Sequence, residues 1–281
     1  MYKILEKRFL NPNIFLMKIE APLVAKKAEP GQFVILRIDE FGERVPFTVA
    51  DFDRDAGTVT IIVQAIGKTT IDLSKMEEGE SLLDFAGPLG VPTELEGLKK
   101  VAVIGGGLGC AIAYPQAKKL SQMGAEVHTV AGFRDKSFII LEDELKAVSD
   151  KLVITTDDGS NGIKGFVTDR LKELIESGEK YDAVIAIGPL MMMRAVSNLT
   201  KEYGIKTIVS LNPVMIDGTG MCGGCRVTVG GETKFACVDG PDFDGHLVDW
   251  DSAINRQKMY KSQEKRSCES GHCRIRGGDN A

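Results

Sequence analysis

The sequence predicts a β-barrel followed by a doubly wound α/β unit, closed by a small module organised around cysteines. Residues 1–97 alternate apolar and polar side chains in short runs such as FLMKIE, QFVILRI and TVTIIVQAI, broken by Gly, Pro and Asp, which is the pattern of a small antiparallel barrel. From Leu98 to Ser210 a continuous apolar strand meets glycines and then a helical run, and the unit repeats, as in a parallel sheet covered on both faces. Residues 211–245 are rich in Gly and Cys and short of helical periodicity, so a bound group is expected to organise them.

In the α/β half, strands are expected at Val101–Ile104, Glu126–Ala131, Leu152–Thr155 and Ala183–Ile187, with helices up to Met123, over Val167–Glu176 and after Pro189. The segment 246–281 is polar and mildly basic, and is read as an extended or docking tail.

The 281 residues are 43% hydrophobic and 27% charged, ordinary for a globular chain of about two domains. A net charge of −5 with dispersed Lys and Arg offers no face for a phosphate backbone, so nucleic acid is not an expected partner. The first twenty residues have charges within every apolar run, and no later segment is apolar long enough to cross a bilayer, so the expected location is the cytoplasm. There six cysteines read as thiols or metal ligands rather than disulfides.

The cysteines are grouped. Cys222 and Cys225 form a C-x2-C pair, Cys237 follows after the hairpin-like RVTVGGETKF, and Asp217 stands five positions ahead of Cys222. Three thiolates and one carboxylate make a donor set for a [2Fe-2S] cluster, wrapped by glycines 218, 220, 223 and 224. A zinc site completed by His246 or by Cys268 and Cys273 competes with this, as does a reduced pair without metal. Cys110 reads as a small helix-start residue.

Gly105, Gly106, Gly107 and Gly109 lie between a strand and a helix, where bare amides at a helix start suit a pyrophosphate. Cys110 replaces the last glycine of the strict pattern, and a tight turn without ligand explains the same residues. Arg134 and Asp135 close the second strand and leave NAD against NADP open, while Gly188 and Pro189 end a later strand near where a nicotinamide would lie. In the barrel half, Arg44, Pro46, Phe47 and Thr48 supply a cation, a ring and a hydroxyl suited to a flavin, and Gly67, Thr69 and Thr70 cap a short helix expected over Thr70–Met76. No Ser-His-Asp set, HExxH or carboxylate pair suggests acid-base or nucleophilic work by side chains.

In this order, R-x-P-F-T, GKTT, GPLG, GGGLG, GFRDK, IGP and D-x4-C-x2-C-x11-C resemble the ferredoxin-NADP reductase superfamily over nearly the whole chain. Within it the arrangement is similar to the electron-transfer subunit of type B dihydroorotate dehydrogenase, and more so to the small subunits of NADH-dependent reduced ferredoxin:NADP oxidoreductases, also called sulfide dehydrogenases. The resemblance implies an FAD-binding barrel over 1–97, an NAD(P)-binding domain over 98–210 and a [2Fe-2S] module over 211–245. It implies that Arg44 meets FAD phosphates, that Phe47 and Thr48 meet the isoalloxazine, and that Val63, Gln64, Gly67, Thr69 and Thr70 hold the rest. It assigns NAD(H) to Gly105–Gly109, Arg134, Gly188, Pro189 and Met192. It also implies a larger flavoprotein partner with its own FAD and [4Fe-4S] clusters, where ferredoxin and NADP(H) react. The dihydroorotate-type pattern has a cysteine where this chain has Asp217, which favours the bifurcating subfamily.

Overall fold

The computed structural model describes residues 1–260. Cys268 and Cys273 lie outside the described residues.

The first ninety residues form strands β1 (Tyr2–Asn11), β2 (Ile14–Glu20), β3 (Phe33–Arg37), β4 (Val45–Thr48), β5 (Asp51–Asp53), β6 (Thr58–Gln64), β7 (Ser81–Leu82) and β8 (Asp84–Leu89), with short helices α1 (Pro22–Ala25) and α2 (Lys68–Leu73). They make two antiparallel sheets, β5-β6-β2-β1-β7 and β4-β3-β8, closed around one core. The period of two decides which residues enter it. Phe15, Met17 and Ile19 of β2 and Val59, Ile61 and Val63 of β6 are buried there, while Ile62 and Gln64 point the other way.

Strand β3 is covered on both faces. Val34 and Leu36 fill the barrel core, and Phe33 and Ile35 pack with Met215, Cys225, Ala236 and Cys237. Alternation along a single strand therefore couples the barrel to the cysteine segment.

The α/β half runs β9 (Lys100–Gly106), α3 (Gly109–Gln122), β10 (Glu126–Phe133), α4 (Glu142–Ala147), β11 (Lys151–Thr156), α5 (Val167–Glu176), β12 (Ala183–Ile187), α6 (Leu190–Glu202) and β13 (Lys206–Ser210). The expected strand at Ala183 and helix at Val167 are found with those bounds. Sheet order is β11-β10-β9-β12-β13, all parallel, so the chain reverses its winding between β9 and β12. Ligands in such sheets bind at the strands' carboxyl ends beside that reversal.

After β13 come the hairpin β14 (Arg226–Val229) and β15 (Glu232–Phe235), then β16 (Asp242–Asp244) and α7 (Trp250–Gln257). Gly230 and Gly231, both at positive φ, make the two-residue turn between β14 and β15. Strand β16 joins the parallel sheet as an antiparallel edge beside β13. Helix α7 departs from the extended tail expected of 246–281. Asp249 caps it by accepting from the Ser252 amide, and buried Trp250 donates its indole N–H to the Gly245 carbonyl, so an aromatic anchor orders a segment whose periodicity is weak. Helix α2 likewise begins two residues before the expected Thr70.

Candidate functional site

A cleft of about 700 Å³ lies where the barrel, the β9/β12 crevice and the segment after β13 meet. Pro46, Thr48 and Gln64 line it from the barrel, and Gly106, Gly107, Gly109, Arg134, Gly188 and Pro189 line it from the sheet. A second cavity of about 580 Å³ shares Gly106, Gly107, Arg134 and Pro189 with the first and continues past Asp157, Phe166 and Met192. The two make one groove over the carboxyl ends of β9, β10, β11 and β12.

The glycine run is explained first by packing. A Cβ on Gly109 would meet the Ile187 carbonyl group and lie 2.8 Å from the Gly188 Cα, so the turn into α3 rests directly on the end of β12. Gly107 is different: its φ is +54°, open space surrounds it, and it lines the groove. The Gly107, Cys110 and Ala111 amides donate to the Gly132, Gly107 and Leu108 carbonyls, and the positive end of α3 at Leu108 and Gly109 lines the same groove, which suits a diphosphate. Gly105 lies against Cys110, whose thiol burial pushes up to about 12, so Cys110 is a packing residue.

Arg134 is exposed at the groove's centre, with its guanidinium 4.4 Å from the Phe138 ring centroid and Nε 3.3 Å from Asp135. Met192 packs against Gly106 and Gly188 and faces the second cavity, while Met193 belongs to the helix core.

Other expected residues stand away from the cleft. Phe47 points opposite to its strand neighbours Pro46 and Thr48 and packs on the barrel core, and Val63 is wholly within it. Arg44 is 3.6 Å from the Asp84 carboxylate. Thr69 donates to Glu43, and the Thr70 hydroxyl accepts from the Gly67 amide and donates to the Gly67 carbonyl, closing the first turn of α2.

The cysteine segment is arranged in two pairs. The Cys222 thiol is 3.4 Å from Asp217 Oδ1, and the Cys237 amide donates to Cys225 Sγ at 3.4 Å. Cys225 and Cys237 are buried, and Cys222 is exposed. Burial, then the neighbouring Cys225, pushes the Cys237 thiol up to about 12. Desolvation opposes ionisation of Asp217, but amide donors at Thr219, Met221 and Cys222 and the Cys222 thiol outweigh it and hold the carboxyl below its usual range.

A single zinc ion with bonds of about 2.3 Å needs its ligands within roughly 4 Å of each other. Among the described residues, no three of these four groups bring ligand atoms within 4.8 Å of one another. His246, the other zinc candidate, bonds Thr200 at 3.0 Å. Two close pairs fit two irons better than one zinc.

Sequence reasoning missed the third wall of the cleft. Ser210, Leu211, Asn212, Pro213, Met215 and Pro241 line it from the stretch joining the sheet to the cysteines, as does Gln257 of α7. Phe33 both lines the cleft and packs with Cys225 and Cys237, and Met215 does the same. Asp157 and Phe166 of the second cavity were also missed; a strand-end Asp-Asp-Gly was their available signal.

Residues 212–249 match the iron-sulfur cluster binding domain of dihydroorotate dehydrogenase B. The chain is 48% identical, over 95% of its length and 94% of the other's, to a Thermotoga maritima homolog of the dihydroorotate dehydrogenase B (NAD(+)) electron transfer subunit. It is 53% identical, over 99% and 98%, to an uncharacterized Clostridium beijerinckii protein encoded in the adh 3′ region. Among solved structures, it superposes with a TM-score of 0.90 and 46% identity on a chain of the NADH-dependent reduced ferredoxin-NADP oxidoreductase studied for flavin-based electron bifurcation, covering 96% of this chain and 98% of that one.

Proposed function

The chain belongs to the family of dihydroorotate dehydrogenase B electron-transfer subunits, and we propose that it binds FAD and a [2Fe-2S] cluster and moves electrons between NAD(H) and a larger flavoprotein subunit. One observation carries the reading: Phe33 and Met215 form a single layer of side chains between the cleft and the Cys225/Cys237 pair. Groups bound on either side of that layer are within tunnelling reach.

When bound, FAD exchanges a hydride with the nicotinamide and divides the pair into single electrons, which the cluster relays. The protein's residues position these groups. Pro46, Thr48 and Gln64 hold the flavin against the barrel, with Phe47 and Val63 packing the core behind them, and Arg44, Gly67, Thr69 and Thr70 are assigned to the FAD by family resemblance alone. The α3 amides beside Gly107 and Gly109 take the dinucleotide phosphates, and Gly188 and Pro189 admit the nicotinamide. Asp157 and Phe166 receive the adenosine end, where the carboxylate favours a ribose hydroxyl over a 2′-phosphate and so NAD over NADP. Asp217, Cys222, Cys225 and Cys237 would hold the irons and supply the one-electron relay.

The larger partner is assigned its own FAD and [4Fe-4S] clusters and the reactions of ferredoxin and NADP(H), in an electron-bifurcating complex. Similarity across 96% of the chain to the ferredoxin-NADP oxidoreductase chain supports this, as does Asp217 in place of a cysteine. The second reading, delivery of electrons to dihydroorotate dehydrogenase, is favoured by the relatives' names and by the 212–249 match. Co-purification of the native complex, with iron and flavin analysis, separates them. NADH-linked ferredoxin and NADP turnover supports the first, and orotate reduction the second. Zinc without flavin overturns both.

A further inference from the structure

Asp242 is a carboxyl that the electron path above does not use, and its surroundings are unusual. Its side chain lies between the barrel and the parallel sheet, where β16 pairs with β13 and Asp242 faces Ser210. The Thr93 hydroxyl donates to Oδ2 at 2.5 Å, and the Gly31 backbone closes over the same oxygen. Oδ1 is buried and, among the described residues, makes no hydrogen bond. Both chain neighbours of this group in the fold, Ser210 and Pro241, line the cleft.

Among the described residues no cation compensates the carboxylate. On the segments packed against it the charged groups are engaged elsewhere: Glu29 with Arg54 and Lys119, Glu94 with Lys206, and Asp244 on its own strand with His246. Burial therefore sets its proton affinity, against the opposing pull of the Thr93 and Ser210 hydroxyls, and pushes the carboxyl up to about 6. A group so placed ionises only while nothing else negative is added nearby.

Resting on the proposed flavin and cluster site, we infer that Asp242 is its proton-coupling residue: when an electron is held behind the cleft wall, Oδ1 of Asp242 takes a proton from water, and returns it when the electron leaves. The balance is one electron in and one proton bound, converting carboxylate to carboxylic acid and leaving net charge unchanged. Ser210, facing both the cleft and Asp242, marks the route between solvent and the carboxyl. Asp242 touches no substrate in this scheme; it is a positioning residue for charge.

The test is infrared difference spectroscopy of the intact holocomplex at pH 7, reduced with NADH and reoxidised with ferricyanide. Reduction is expected to raise a protonated-carboxyl band that shifts in heavy water and is lost in Asp242→Asn. Midpoint potentials from pH 5 to 8 are expected to fall with rising pH above about 6 in the unaltered complex and to be flatter in the variant. A fully loaded, NADH-reducible complex with no carboxyl band change, or with the same potential-pH curve in Asp242→Asn, overturns this inference alone. A complex without flavin and iron overturns the functional reading, and this inference with it. The band in the unaltered protein decides the matter even where the variant fails to fold.

Discussion

Replacing Gly109 by alanine puts a methyl group against backbone rather than against a side chain that can rotate. The added Cβ would lie 2.7 Å from the Ile187 carbonyl carbon and 2.8 Å from the Gly188 Cα, closer still to the Ile187 oxygen. Reaching an ordinary contact of 3.4 Å requires the β9–α3 turn and the end of β12 to part by at least roughly 0.7 Å. Those two turns are facing walls of the cleft. Overpacking of this kind costs about 1–3 kcal/mol of stability, and a misplacement approaching 1 Å in a positioned reaction costs up to roughly 10²-fold in rate. Gly124→Ala is the matched control, because it lies outside the groove, meets open space and carries only the strain of a positive φ, about 1–2 kcal/mol. Stopped-flow reduction of the bound flavin by NADH, with melting temperature beside it, measures both. Gly109→Ala is expected to lose at least tenfold in the reduction rate, while Gly124→Ala loses mainly melting temperature. A Gly109→Ala protein that reduces within twofold of the parent at an unchanged melting temperature refutes the packing argument.

Asp217→Ala is expected to lower the iron content and alter the visible spectrum, whereas Asp217→Cys keeps both irons; an unchanged spectrum in the alanine variant removes the carboxylate from the ligand set. Asp157→Ser is expected to improve kcat/KM for NADPH relative to NADH by about tenfold, read by steady-state kinetics with an artificial acceptor. Phe33→Ala, truncating a side chain 3% exposed, is expected to cost about 3–5 kcal/mol in denaturant unfolding and to slow electron passage to the cluster more than flavin reduction by NADH. The Asp242 carboxyl has a folded pKa of about 6 against 3.8 unfolded, so its contribution is fully present below pH 3.8 and is lost as pH rises through 6. Relative to Asp242→Asn, the parent should therefore lose on the order of 3 kcal/mol of stability at most between pH 4 and 7, read as a falling melting temperature; parallel curves for the two proteins would rule this out.

Much of the architecture is written in local patterns. The alternation in TVTIIVQ and the apolar runs VAVI and AVIAI specify strands whatever surrounds them, and glycines at strand ends mark the turns. Helix α7 escaped because its order comes from one buried tryptophan and a cap rather than from a stripe. For the site, the sheet-side residues were legible, since a strand-glycine-helix sequence places its own amides. The barrel-side residues were legible only in part, because whether Phe47 or Thr48 faces the cleft depends on which side of β4 the core lies.

By itself, the sequence determined the barrel and the parallel sheet, the positions of the glycine turn and the grouping of the cysteines, because each is set by period, spacing and residue chemistry within one segment. Only the tertiary structure decided that Phe33 separates the cleft from the cysteines, that Asp217 and the thiols stand as two pairs, and that Oδ1 of Asp242 is buried with no cation beside it among the described residues. Those facts depend on contacts between segments as far apart as β3, the Thr93 stretch and β16, and long-range packing, not local preference, brings such segments together.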